Sequence, residues 1–159
     1  MTSDDWQEWR QLRRDALEEA PHAFGSTLAE WSGAGDIEQR WRDRLDAASV
    51  NLIAELDGLA VGMVSLAAAE DQEAEVISMW VAPSARERGI GAALLQEAIA
   101  LARVDGACCV TLDVTVGNEP AINLYTKAGF VDAGWATSPS DAKPERRMRL
   151  DLRRTATAQ

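Results

Sequence analysis

Thiols are scarce in this chain. Of 159 residues only Cys108 and Cys109 carry one, and they are neighbours. A disulfide between adjacent residues is badly strained, and two thiols alone hold no metal, so neither a disulfide framework nor a metal centre is expected. The pair reads as two small apolar residues in a buried strand. Long apolar runs are missing too; none approaches the ~20 residues that span a bilayer. The opening Met1-Thr2-Ser3-Asp4-Asp5 is acidic and lacks the regions of a signal peptide, which makes the cytoplasm the default location. Positive charge is in deficit: 16 basic residues face 26 acidic ones, for a formal net charge of −10. That excludes non-specific binding to nucleic acid. It suits a cationic partner such as an amine, though net charge alone carries little weight. With no internal repeat, low-complexity tract or linker, the chain is expected to form one domain over 1–159: a helical segment (1–50), a sheet-containing core (51–152) and an irregular tail (153–159).

Hydrophobic spacing supplies the elements. Trp6, Trp9, Leu12, Ala16 and Leu17 recur at helical intervals behind Asp4 or Asp5 as N-cap, and Pro21 closes that helix. Ile37, Trp41, Leu45 and Ala48 mark one side of a second helix. Strands are expected over 51–56 and 59–68, joined by the tight-turn pair Asp57-Gly58, and over 75–81 after an acidic turn. A helix follows from Ala92 to Arg103, then a strand from Cys109 to Val114. Asn118 as N-cap, Pro120 in the first turn and Gly129 past the end bound another helix. Residues 130–135 and 147–152 are the last strand candidates. Helices, an antiparallel meander and then β-α-β-α-β-β describe an α/β fold, a mixed sheet with helices on both faces.

The segment Arg86-Glu87-Arg88-Gly89-Ile90-Gly91-Ala92 carries chemistry. A strand ends, glycines remove side chains at Gly89 and Gly91, and a helix begins at once. Backbone N–H groups at a helix N-terminus bind anions, and the helix dipole adds to them. A pyrophosphate fits such a turn, although a lone Gly-x-Gly is more often only a strand-to-helix turn. A Walker loop is absent, and a Rossmann fingerprint would need glycine where Leu94 stands.

These residues resemble the GNAT superfamily of N-acetyltransferases. The family's cofactor pattern, Arg/Gln-x-x-Gly-x-Gly/Ala, is matched by Arg86, Gly89 and Gly91, with Met79-x-Val81-x-Pro83 upstream. A second signature, Asn118-x-x-Ala121-x-x-Leu124-Tyr125-x-x-x-Gly129-Phe130, follows in the right order. The resemblance implies a mostly antiparallel mixed sheet, splayed between its two central strands. It implies acetyl-CoA as co-substrate, no metal, and transfer of acetyl to a primary amine by direct attack in a ternary complex. The backbone of Met79, Trp80 and Val81 would pair with the pantetheine arm. The backbone from Arg86 through Glu87, Arg88, Gly89, Ile90 and Gly91 to Ala92 would hold the pyrophosphate. Asn118, Ala121 and Asn123 would line the cofactor groove. Tyr125 would protonate the departing thiolate, and Glu75, with Glu73 on the same strand face, is the candidate base.

Each role has a plainer counterpart. Asn118 is also a helix cap, Asn123 also a solvated helix residue, Tyr125 also a core aromatic, and Glu75 also a solvated carboxylate at a strand end. His22 reads as a surface or capping residue. Cys108 and Cys109 are poor nucleophiles, with no activating group near them in sequence. The acceptor pocket falls to Phe24–Trp31, Trp41 and the loop from Trp135 to Arg146, where tryptophans either cage a cation or pack the core. Family members usually open with a strand before the first helix; none is expected here, and the exposed edge favours a homodimer. The alternative function is a non-catalytic acyl-CoA-binding module of the same fold.

Overall fold

Two apolar surfaces need cover, and helices on opposite faces of one sheet provide it. The computed structural model describes residues 1–137 and 143–153. The order is α1 (Trp6–Glu19), α2 (Glu38–Asp46), β1 (Ala48–Leu56), β2 (Leu59–Glu70), β3 (Glu73–Val81), α3 (Ile90–Val104), β4 (Cys109–Thr115), α4 (Glu119–Lys127), β5 (Val131–Trp135) and β6 (Glu145–Asp151), with short 3-10 turns between several of them. The six strands lie in the order β1-β2-β3-β4-β6-β5. Only β3 and β4 run parallel; the other neighbours are antiparallel. This is the expected mixed α/β sheet flanked by helices, and among the described residues no strand precedes α1. Much of the expected tail, 154–159, and residues 138–142 of the loop between Trp135 and Arg146 lie outside the described residues.

On one face α3 and α4 bury Leu94, Leu95, Ala98, Ile99 and Tyr125 against Val64, Leu66, Val76, Val110 and Leu112. On the other, α1 and α2 bury Trp9, Leu12, Leu17, Trp41 and Leu45 against Met63 and Trp80. The buried positions of α1 are Trp9, Leu12, Arg13, Ala16 and Leu17. That is the i, i+3, i+4, i+7, i+8 stripe of a core-facing helix, with an arginine at one of its positions.

One local expectation is refined and another corrected. Asp5 stands at the N-cap position of α1 as expected but makes no side-chain cap bond; the capping bonds belong to the turn before it, where the Thr2 hydroxyl accepts from the Asp4 N–H and Asp5 accepts from the Thr2 N–H. A 3-10 turn over Ser3–Asp5 thus precedes α1. Ala48 does not continue α2; it opens β1 opposite Ala67. The Asn51 amide donates to the Leu45 carbonyl at 2.8 Å and its oxygen accepts from Ser65, so α2 ends against the sheet two residues early.

α1 and α2 are tied by one carboxylate. Asp36 accepts from Arg10 at Nε (2.6 Å) and Nη2, from Arg14 (2.6 Å) and from the Trp41 indole (2.9 Å). The Arg10 bonds in particular hold its pKa far below the ordinary carboxylate range. Its stabilising effect is therefore complete above the unfolded-state value of ~3.9 and is lost as pH falls through the depressed folded value. Asp36→Ala should cost about 2 kcal/mol in urea unfolding at pH 7, the scale of hydrogen bonds to a charged group. The gap from the parent protein should narrow in strong acid.

Candidate functional site

Parallel pairing of β3 with β4 covers only Glu73 with Cys109, Ala74 with Val110 and Glu75 with Thr111. Beyond Glu75 the two strands separate, which is the expected splay, and the β4-facing edge of β3 has no ladder partner there. Unpaired strand edges seek main-chain hydrogen bonds, so this edge can receive an extended ligand.

Within the open stretch β3 changes its facing. Against β2, Ile77 pairs with Ser65 and Trp80 with Met63, so β3 spends one residue more than its partner. The extra residue is a bulge at Ser78, which has φ 57°. Simple alternation would put Glu75, Ile77, Met79 and Val81 on one face. The bulge moves Met79 and Val81 to the α3 side and leaves Trp80 in the core under α1. A non-glycine residue at positive φ is strained and persists only when its surroundings hold it. Here the Arg44 guanidinium donates to the Ser78 hydroxyl at 2.8 Å.

A cavity of about 350 Å³ runs through the splay. Val76, Met79, Leu112 and Tyr125 line it from the α3–α4 face; Arg13, Phe24, Arg44, Glu75 and Asp113 line it from the α1–α2 face. The expected acid and base, Tyr125 and Glu75, share this cavity. Burial pushes the Tyr125 phenol up to about 12, so it is protonated at neutral pH. Burial also raises Glu75, Arg147 pulls it back, and Asp113 and Glu73 raise it further. Glu75 is thus not simply a solvated strand-end carboxylate: it is half-buried and accepts from Arg147 at 3.2 Å. Arg147 also grips Asp113 with two bonds of 2.8 and 2.9 Å, bridging β3 and β4 where they part. Glu73 is committed elsewhere, to Arg149 (2.8 Å) and Thr111 (3.2 Å).

At the start of α3, Gly89 sits in the left-handed region at φ 77° and caps the helix. The first-turn N–H groups of α3 lack intrahelical partners and face outward from the helix end. Glu87, at φ 63°, shapes the same loop. Gly91 is close-packed: a Cβ there would lie 3.4 Å from Leu124 and 3.6 Å from Met79. This turn fits a pyrophosphate, with backbone donors in series and no side chains from the two glycines.

The Arg86 side chain is tied to the protein itself. Its guanidinium donates to the Val81 carbonyl (2.9 Å) and to Glu19 (2.7 Å), which also accepts from the Trp80 indole at 3.0 Å. It fastens the loop to β3 and α1, while Arg88 remains exposed. Asn118 caps α4, accepting from the Ala121 N–H at 3.4 Å, and Asn123 stands on the same helix.

The tryptophans do not cage the cavity. Trp9, Trp31, Trp41 and Trp80 are core residues. Phe24 is the aromatic that lines it. His22 is exposed, and its carbonyl accepts from Thr115. Cys109 is buried, its thiol raised to about 12 chiefly by burial, which makes it inert. Sequence reading missed Arg13, Arg44, Arg147 and Glu19. For the first two a signal existed: both are charges at stripe positions of amphipathic helices, next to Leu12 and Leu45.

A model of the acetyltransferase (GNAT) family matches residues 6–130. A mycothiol acetyltransferase from Clavibacter sepedonicus is 33% identical over 133 residues, 83% of this chain but 41% of that protein, so the chain spans under half the length of that relative. The ribosomal-protein-alanine N-acetyltransferase of Brucella melitensis superposes with a TM-score of 0.71 at 26% identity, covering 96% of this chain and 97% of that one. A putative acetyltransferase from Salmonella typhimurium, solved with acetyl-CoA, shares the fold at TM-score 0.75 and 18% identity, over 100% of this chain and 95% of that one.

Gly89→Ala tests the loop. The added methyl meets nothing within 4 Å, so any loss comes from the backbone alone. Thermal unfolding should show a destabilisation of about 1 kcal/mol, the cost of placing an L side chain in the left-handed region.

Proposed function

Since the chain belongs to the GNAT acetyltransferase family, we propose that it moves an acetyl group from acetyl-CoA to a primary amine by direct attack in a ternary complex. The observation that carries this reading is the cavity through the splayed sheet, lined from both faces and holding Tyr125 and Glu75 together. A cavity lined from both faces lets a donor and an acceptor meet inside one site, with no acyl-enzyme between them.

Acetyl-CoA supplies an activated thioester. In this reading the α3 N-terminal turn, Arg86 to Ala92, holds the pyrophosphate through backbone N–H groups. The open edge of β3 at Met79–Val81 receives the pantetheine arm as an added strand would be received. Asn118, Ala121 and Asn123 form the α4 wall of the groove. The strand N–H near Trp80 polarises the acetyl carbonyl.

An alkyl ammonium with a pKa of roughly 10.4 is almost wholly protonated at neutral pH, so attack needs a base. Glu75 takes that proton, directly or through a water, and its raised pKa brings it nearer the working pH. The amine nitrogen then forms the C–N bond as the C–S bond breaks. Tyr125 gives its proton to the leaving sulfur. The same burial that raises the phenol also disfavours a bare thiolate, so the proton passes between two groups penalised alike as anions.

Tyr125→Phe should lower kcat about a hundredfold, the scale of a lost general acid, while leaving acetyl-CoA affinity by calorimetry unchanged. Glu75 titrates above the ordinary glutamate value of ~4.3, so kcat should rise with pH through an apparent pKa above that value. Glu75→Gln should remove this limb. Acetyl-CoA binding without turnover across amines would instead favour a non-catalytic acyl-CoA module, and no binding would end both readings.

A further inference from the structure

The α1–α2 side of the cavity has an unusual charge pattern. Arg13 leaves 7% of its surface exposed, and its Nη1 is buried without a hydrogen-bond partner. Its guanidinium carbon lies over the Phe24 ring, 4.4 Å from the centroid, a cation–π contact that helps hold the group in place. Arg44 lines the same cavity and spends one N–H on Ser78. Neither arginine forms an ion pair with a carboxylate among the described residues. Burial lowers the pKa of both, and the charge of Arg44 lowers Arg13 further, to about 10. A buried cation beside a half-buried one that repels it is costly unless an anion joins them.

Of the acids lining the cavity, Glu75 and Asp113 are both engaged by Arg147. The site thus carries both charges, with guanidinium groups contributed by the helices and carboxylates by the splayed strands. Guanidinium forks match carboxylates in geometry and charge. A cavity of about 350 Å³ is of small-molecule size.

We propose that the acceptor is a small amine that also bears a carboxylate, an amino-acid-type zwitterion, with Arg13 and Arg44 receiving the carboxylate while the amine lies toward Glu75. This rests on the cavity's being the acceptor site, as read above. It reverses the simplest expectation from the net charge of −10, which favours a plain cation. Phe24 and Ser78 act as positioning residues, the first helping to hold Arg13 and the second anchoring Arg44.

The test compares matched acceptors with the whole chain and acetyl-CoA. A panel of L-amino acids, the corresponding carboxamides, and plain diamines is assayed by thiol release. Amino acids should exceed their amides by at least tenfold in kcat/KM. Arg13→Met and, separately, Arg44→Met should bring that ratio toward one, and Arg13→Lys should restore part of it. Acetyl-CoA affinity by calorimetry should not move in any of them. Equal use of acids, amides and diamines overturns the proposal. So does a loss of acetyl-CoA binding in Arg13→Met, which would assign the cations to the donor. Should no amine be acetylated, the transferase reading fails on its own, and calorimetry of the chain with the amino-acid panel still decides. Binding that Arg13→Met abolishes supports the carboxylate subsite; no binding by any amino acid overturns it.

Discussion

The pairing of β3 with β4 stops after Glu75 and Thr111, and the rest of the site follows from that stop. Had the ladder continued, the sheet would be closed and its two faces would never meet. Because it opens, a strand edge is left with unspent donors and acceptors, and a cavity connects the α3–α4 face to the α1–α2 face. The bulge at Ser78 lies in the same stretch and turns Met79 and Val81 toward α3. Trp80 is left to anchor the opposite core and, through Glu19, the loop that begins at Arg86. One interruption thus aligns the strand edge, the glycine turn and the base candidate.

Holding the interruption open takes charge. Arg147 spans it from β6, bonded to Asp113 on one strand and Glu75 on the other. One rung further in, Arg149 and Glu73 repeat the pattern where the strands are still paired. On the helical side, Asp36 gathers Arg10, Arg14 and Trp41, which fixes α1 against α2 and with them the placement of Arg13 and Arg44. A chain with ten more acidic than basic residues still concentrates arginine where its elements must be held apart or together. Bulk charge says little about the charge inside one cavity.

Much of this was legible in the sequence. The Gly89-Ile90-Gly91 turn, the Asn118-Glu119-Pro120 start of α4 and the Asp57-Gly58 hairpin are local signals, set by backbone conformation and capping, and they sit where spacing puts them. What was not legible depends on partners far apart in the chain. A bulge at Ser78 has no mark in an alternating run such as Glu75 to Val81; it shows only in the register against β2. The Arg86 side chain is claimed by Glu19, sixty-seven residues away, which a loop motif does not reveal. Ala48 fits a helical stripe by spacing, yet Asn51 draws the end of α2 onto the sheet and starts the strand early. Arg13 was readable in principle, as a charge seated within an apolar stripe, and the stripe itself drew attention away from it.

The two-sided cavity divides the chain's variation into independent halves. One wall, with Arg13, Phe24 and Arg44, comes from α1, α2 and the loop between them, all within the first fifty residues; Tyr125 of α4 lines the other side. The splayed strands β3 and β4 lie between them. Substitutions on the helical wall can therefore recut that side of the cavity while the strand edge and the glycine turn keep their shape.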